Sequence, residues 1–284
     1  MSEMPLYKEE MRTFIKNALD EDVGRGDLTS QAIIPADQKL SAAMVARENM
    51  VIAGMFLATE VIKTCDPGAV IEVLAADGLE VMAGSTILKV TGNARKLLTA
   101  ERTALNILQH LSGIATLTRT YVRRIEHTDC RLLDTRKTLP GYRKLAKYAT
   151  RMGGAENHRM RLDDGMLIKD NHIARIGSVS AAVAAAKAYD SSASTIGITV
   201  ECDTLDQAAE AVKAGADRLL LDNMNNDMLS AAVKLYKGQV KLEASGGVTL
   251  ETIKAIAETG VDYISVGRIT QSAPAVDIGL DYLD

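Results

Sequence analysis

The sequence predicts an α/β protein in which a compact unit of strands around one helix is followed by a β/α barrel. Three observations predict the barrel. From Arg131 onward, strand-length apolar runs recur with helical patterns between them. The last four runs start about 22 residues apart, near the minimum for a β–α unit. The runs also end in residues that bind ligands: Asp134 with Arg136 and Lys137, Lys169, Glu201, Asp222, Glu243 with Ser245, and Gly267. In a β/α barrel these C-terminal strand ends open on one face, where the loops build the active site. A doubly wound open sheet also collects sites at strand ends, but usually has a glycine fingerprint after its first strand. The sequence has no such fingerprint, so the barrel is preferred.

The 284 residues provide for one or two domains, with 47% hydrophobic and 25% charged residues, as in a globular protein. Aromatic content is only 4%, with no tryptophan, and the net charge is -4. Scarce stacking platforms and an acidic surface argue against a nucleic-acid partner. No run is long and apolar enough to span a membrane. The sequence begins without a signal-peptide core, so a cytoplasmic location is expected. Cys65, Cys130 and Cys202 lie far apart and form no CxxC pair, which suits reduced, packed thiols.

In chain order, Met11, Phe14, Ile15, Ala18 and Leu19 share one face of a helix over 7–19. EDVGRGDLTS ends it and reads as a turn. Strands are expected around 40–46, 70–74 and 86–90, with a helix over 55–63 between them. Asn93 can cap the next helix, which Ser112-Gly113 should loosen or break before a second helix runs to about Glu126. On that first helix Leu98, Arg102, Leu105 and Gln109 share a face, which puts a cation in a mainly apolar stripe. A buried guanidinium needs a carboxylate, from the protein or from a ligand. In the barrel, strands are expected at 132–133, 166–168, 196–200, 218–221, 240–242 and 263–266. Helices are expected at 141–151, 179–189, 205–214, 226–236 and 250–258.

The stretch from Leu132 to Ile173 holds nine Lys and Arg against five Asp and Glu, a cationic island in an acidic chain. Such an island usually receives an anion. Thr135-Arg136-Lys137-Thr138 puts two cations and two hydroxyls directly after a strand, which suits a carboxylate or phosphate better than a solvated turn. Gly153-Gly154 reads as a helix C-cap, or as a flexible turn that carries Asn157, His158 and Arg159 to the mouth. Glu201 and Asp222 close successive runs, ITVE and LLLD. They could pair with Lys169 or Lys137, or hold ribose hydroxyls and a Mg²⁺ brought in by a diphosphate. Ser245-Gly246-Gly247 and Gly267 suit phosphate-cradling turns, because glycine lets backbone approach closely. His110, His127 and His172 show no metal-ligand spacing and read as structural.

DTRKTLPG, the Gly-Gly turn with NHR, LIKDNHI, ERTALNILQHLSGIAT and EASGG resemble the quinolinate phosphoribosyltransferase family, and the likeness runs from EDVGRGDLTS to SAPAVDIGL. The resemblance implies transfer of phosphoribosyl from phosphoribosyl pyrophosphate (PRPP) to quinolinate with Mg²⁺, giving nicotinate mononucleotide, pyrophosphate and CO₂. It implies an N-terminal α/β sandwich over 1–112, joined by 273–284, and an incomplete seven-stranded β/α barrel over 113–272. It also implies residue roles. Arg102, Arg136, His158 and Arg159 would grip the quinolinate carboxylates, with Thr135 beside them. Lys137 and Lys169 would line the reaction centre, and Glu201 and Asp222 would hold the ribose hydroxyls and Mg²⁺. Ser245, Gly246, Gly247 and Gly267 would receive the 5′-phosphate. Family dimers carry the Arg102 position into the neighbouring subunit's barrel, so a homodimer is expected. The sequence departs from the family pattern at Ala155, Arg161 and Arg268. The competing expectations are a related phosphoribosyltransferase-like protein associated with molybdate transport and a non-catalytic barrel that binds a phosphorylated metabolite.

Overall fold

The computed structural model describes residues 7–189 and 197–283. Helix α1 (Lys8–Val23) ends at Gly24, which adopts a φ of 55. Helix α2 (Leu28–Ile33) follows, capped by Asp27, whose Oδ1 accepts the Ser30 N–H at 3.0 Å. EDVGRGDLTS is thus two helix ends joined by a turn. Next come β1 (Lys39–Ala46), β2 (Met50–Val51), α3 (Met55–Cys65), β3 (Val70–Val73), β4 (Glu80–Val81), β5 (Thr86–Asn93) and α4 (Ala94–Ile125). The alternating part comprises β6 (Arg131–Leu133), α5 (Arg143–Gly153), β7 (Met166–Ile168), α6 (Asp170–Ile176), α7 (Val179–Tyr189), β8 (Ile198–Cys202) and α8 (Leu205–Ala214). It continues through β9 (Arg218–Asp222), α9 (Asn226–Tyr236), β10 (Lys241–Ser245), α10 (Ile253–Glu258), β11 (Tyr263–Ser265) and α11 (Arg268–Gln271), and β12 (Ile278–Tyr282) closes the chain. The expected strand start at Ile196 lies outside the described residues.

These elements form two compact units. The first comprises Met1–Arg119, Leu139–Gly154 and Ser272–Asp284; the second comprises Thr120–Thr138 and Ala155–Gln271. In the first, an antiparallel sheet runs in the order β12-β1-β5-β3. Strand β1 pairs Ala46 with Ile278 and Ala42 with Tyr282, so the last strand of the chain completes its first sheet. Leu57, Ala58 and Val61 of α3 pack in one core with Leu97, Ala100, Ala104, Leu108 and Leu111 of α4. Burial of this apolar surface is the main stabilising contribution. Helix α5, which the alternating pattern assigns to the barrel, places Leu145, Ala146 and Ala149 in the same core.

Helix α4 does not break at Ser112-Gly113; it runs unbroken for 32 residues. The Ser112 hydroxyl accepts the Ala53 N–H at 3.0 Å instead of competing for its own helix. A Cβ on Gly113 would collide with the carbonyl oxygen of Pro274. The glycine therefore makes room for the returning backbone and is no helix breaker.

In the second unit the sheet is parallel, in the order β6-β11-β10-β9-β8-β7. A parallel bridge from Leu133 to Glu156 adds a seventh strand position beside β6, which gives the incomplete barrel. On β9, Leu219 and Leu221 are fully buried on one face, while Arg218, Leu220 and Asp222 take the other. Helix α8 is held at its start by a capping box between Thr204 and Gln207, and α9 by Asn225, which accepts the Met228 N–H at 2.9 Å. No described helix is long and apolar enough to cross a membrane.

Candidate active site

The C-terminal strand ends of the second unit bring most of the expected site residues together. Thr135, Arg136 and Lys137 leave the end of β6, and the Lys137 N–H donates to Thr135 Oγ1 at 3.1 Å. The Lys137 carbonyl accepts the Thr270 hydroxyl at 2.7 Å, which ties this loop to α11. Gly267 lies directly beneath the Lys137 side chain: a Cβ there would stand 2.7 Å from Lys137 Cδ. Lys169 follows β7 at the N-cap of α6. Its N–H donates to His172 Nδ1 at 2.9 Å, so His172 orients a site residue. Lys169 Nζ forms an ion pair with Glu201 of β8.

Asp222 ends β9 beside this pair. Burial raises its carboxyl above the usual range, and Glu201 and Asp203 raise it further, while Lys169 and Lys137 pull it down. Negative charge is therefore in surplus around Asp222, and a cation arriving with a substrate would relieve it.

The second cationic group comes from the segment after α5. Asp134 is fully buried and accepts Asn157 Nδ2 at 2.6 Å and the His158 N–H at 2.9 Å, which locks Asn-His-Arg against the end of β6. Arg159 is held somewhat below its ordinary pKa by burial and by the nearby Arg136, against the pull of Asp164. Neighbouring guanidiniums are a charge arrangement that can receive carboxylates. Arg159 Nη1 donates to the Gly165 carbonyl at 2.8 Å.

His158 is engaged inside the barrel. Its Nδ1 accepts the Arg159 N–H at 2.8 Å, so in the neutral ring the proton sits on Nε2, 3.5 Å from Glu243 Oε1. Glu243 is fully buried, and its Oε2 accepts Arg218 Nη1 at 3.1 Å. Arg218 also lies over the Tyr263 ring, 4.5 Å from its centroid.

After Ser245, Gly246 and Gly247 adopt φ values of 92 and 58, which other residues rarely adopt. The following helix begins at Ile253, later than the expected 250. The Thr249 N–H instead donates to Thr252 Oγ1 at 2.9 Å, forming a hydroxyl turn first.

Arg102 lies on α4 in the first unit and its residue is exposed, so the expected burial in an apolar stripe does not occur. Leu98 and Gln109 on that face are themselves only half-buried. Arg161 pairs with Asp163 at 3.2 Å on the surface. The sequence reading missed Asn223, Arg218 and Thr270. Asn223 flanks a strand end, a weak signal; Arg218 opens β9 and Thr270 lies within α11, where the sequence gives none. A cavity of about 340 Å³ lies at the opposite, N-terminal ends of the strands, lined by His158, Arg159, Thr199, Arg218 and Lys241 among others.

An incomplete β/α barrel with paired arginines, lysines, carboxylates and glycine turns at its strand ends is built for a small substrate with phosphate and carboxylate groups. The chain belongs to the quinolinate phosphoribosyltransferase family. Residues 27–112 match the family's N-terminal domain and residues 114–281 its C-terminal domain. It is 43% identical to the nicotinate-nucleotide pyrophosphorylase [carboxylating] of Mycobacterium leprae, over 95% of this chain and 96% of that one. It is 41% identical to the probable enzyme of that name from Bacillus subtilis, over 96% and 93%. The solved nicotinate-nucleotide pyrophosphorylase of Francisella tularensis superposes with a TM-score of 0.92 at 41% identity, covering 98% of both chains.

Proposed function

We infer that the protein transfers phosphoribosyl from PRPP to quinolinate with loss of CO₂, giving nicotinate mononucleotide and pyrophosphate for NAD biosynthesis. The observation that carries this reading is the mouth of the second unit. Arg136 and Arg159 stand close there, and Asp222 lies beside the Lys169–Glu201 pair, with Lys137 over Gly267. Neither alternative, a molybdate-associated relative or a binding barrel without catalysis, is favoured by the matched relatives, which are named as pyrophosphorylases.

Arg136 and Arg159 would hold the two carboxylates, with Thr135 at the rim and His158 fixing the backbone that carries Arg159. Exposed Arg102 would complete the grip from a second copy, which makes the working form a homodimer. Gly246, Gly247, Ser245 and Gly267 would take the 5′-phosphate, and Glu201 and Asp222 the ribose hydroxyls. Among the described residues there is no cluster of three metal-binding side chains. Two carboxylates with a charge surplus suit a Mg²⁺ carried by PRPP, which would neutralise the departing pyrophosphate. Lys137 and Lys169 stand ready for the same anion.

As the bond from ribose C1 to pyrophosphate oxygen breaks, positive charge grows on the sugar, and Glu201 and Asp222 stabilise it. The arginines keep the pyridine nitrogen in line for attack on C1. In the resulting pyridinium, the bond from C2 to its carboxylate breaks and its electron pair is stabilised by the ring nitrogen. CO₂ leaves and C2 takes a proton. These steps need orientation and charge in place of a strong base. The location expected for such an enzyme is the cytoplasm.

Incubation with PRPP, Mg²⁺ and either quinolinate or nicotinate, with CO₂ and pyrophosphate as readouts, tests the assignment. Turnover with quinolinate supports it; binding of PRPP without turnover of quinolinate sinks it.

A further inference from the structure

Asn223, directly after β9, is the one non-glycine residue with positive φ among the described residues, at 54. Asparagine tolerates this conformation better than most side chains, yet such residues persist only where the surroundings fix them. Three contacts do so here. The side-chain amide donates to Asp222 Oδ2 at 2.7 Å, a contact between sequence neighbours that the left-handed backbone allows. The backbone N–H donates to the Ser245 carbonyl at 2.9 Å and joins the end of β9 to the end of β10. The side chain also fills the space beside Gly246: a Cβ there would collide with Asn223 Oδ1 and stand 2.6 Å from its Cγ.

Asn223 is therefore a common wall between a carboxylate assigned to the ribose and the turn assigned to the phosphate. We propose that Asn223 is a positioning residue that sets the spacing between Asp222 and the Ser245–Gly247 turn, and so tunes the site to a ribose 5-phosphate unit. The proposal rests on the phosphoribosyl reading above. With one Asp222 oxygen tied to the amide, the carboxylate plane is fixed before ligand arrives. The phosphate turn is fixed from the other side by the same residue. Preorganisation of this kind lowers the ordering cost of binding.

Three variants separate the contributions. Asn223→Gly keeps the left-handed backbone and loses the amide. Asn223→Asp keeps the shape and loses the donor, and Asn223→Ala loses the amide and strains the backbone. The probe is ribose 5-phosphate without metal, titrated by calorimetry, alongside KM values for PRPP and quinolinate. Asn223→Gly and Asn223→Asp should both weaken ribose 5-phosphate binding and raise the PRPP KM by about tenfold, as loss of one hydrogen bond to a charged group implies. The quinolinate KM should stay within about twofold, because the arginines are untouched. Asn223→Ala should add a fall in Tm that Asn223→Gly does not show.

If Asn223→Gly binds ribose 5-phosphate as the unaltered protein does, the proposal is wrong, even if Asn223→Asp is impaired, since charge repulsion would then explain the aspartate. Equal loss of quinolinate and PRPP affinity would also overturn it, as general damage. If the unaltered protein binds ribose 5-phosphate but fails to turn over quinolinate, the phosphoribosyl-transfer reading fails, and the variants still report on spacing.

Discussion

His158 Nε2 lies 3.5 Å from Glu243 Oε1, inside a barrel layer that aliphatic side chains usually fill. The carboxylate is fully buried, and its Oε2 also receives Arg218 Nη1. It faces the imidazole whose other nitrogen accepts the Arg159 N–H. Replacing Glu243 by Gln removes the countercharge of Arg218, whose side chain is 28% exposed, and leaves His158 facing a neutral amide. The expected loss is about 1–3 kcal/mol of stability, the range for a lost hydrogen bond to a charged group, measured by urea unfolding. Loss of under about 1 kcal/mol would show that solvent and the Tyr263 ring suffice for Arg218.

The same group sets an acid limit. Burial alone would raise the Glu243 carboxyl, but His158, Arg218 and Ser265 hold it below its ordinary value of 4.5. A carboxyl lowered in the folded state contributes stability that is present above pH 4.5 and is lost as pH falls through the folded value. Unfolding free energy measured from pH 6 down to pH 3 should therefore fall below pH 4.5 less steeply in Glu243→Gln than in the unaltered protein.

Arg136 stands beside Arg159 despite their repulsion. Arg136→Ala should cost about 2–4 kcal/mol in kcat/KM for quinolinate, by analogy with other lost charge contacts. Arg136→Lys should recover only part of it, since a point charge cannot replace the planar fork. Unchanged kcat/KM in the alanine variant removes Arg136 from the site.

Gly267→Ala and Gly113→Ala should behave oppositely. At 267 the new methyl meets Lys137 Cδ, a flexible neighbour, so the protein folds normally while the displaced lysine raises the PRPP KM. At 113 it meets the Pro274 backbone, which cannot move aside, and stability falls by roughly 1–3 kcal/mol or more. Thermal melts and steady-state kinetics on the two variants distinguish these outcomes.

Cys130 and Cys202 are buried, and burial pushes both thiols up to about 12. Cys65 is half-buried and raised chiefly by burial as well. Iodoacetamide at pH 8 should label Cys65 first and leave the other two until urea is added. Mass spectrometry of the modified peptides reads this directly, and early labelling of Cys202 would contradict its packing.

Local chemistry made much of the fold legible. The expected spans of α7, α8 and α9 coincide with the observed ones, because capping residues and apolar spacing agree there. The strand-end residues Lys137, Lys169 and Asp222 were legible for the same reason, since alternation locates the strand ends. What the sequence hid was pairwise and distant. Gly113 looks like a breaker until Pro274 is seen against it, and Asn223 looks like loop until Gly246 is placed beside it. Helix α5 follows a barrel strand in sequence, yet its apolar face packs into the other unit's core, a choice that periodicity cannot reveal.

Strand β12 pairs with β1, so Ser41 and Leu283 meet across almost the full length of the chain, the Leu283 N–H donating to the Ser41 carbonyl at 2.8 Å. During synthesis, β1 therefore keeps an open edge until residues 278–282 reach it. A released chain that ends near Gln271 lacks β12 and leaves the amino-terminal sheet open to a strand from another polypeptide. Truncation that removes β12 is therefore expected to favour aggregation as well as loss of activity.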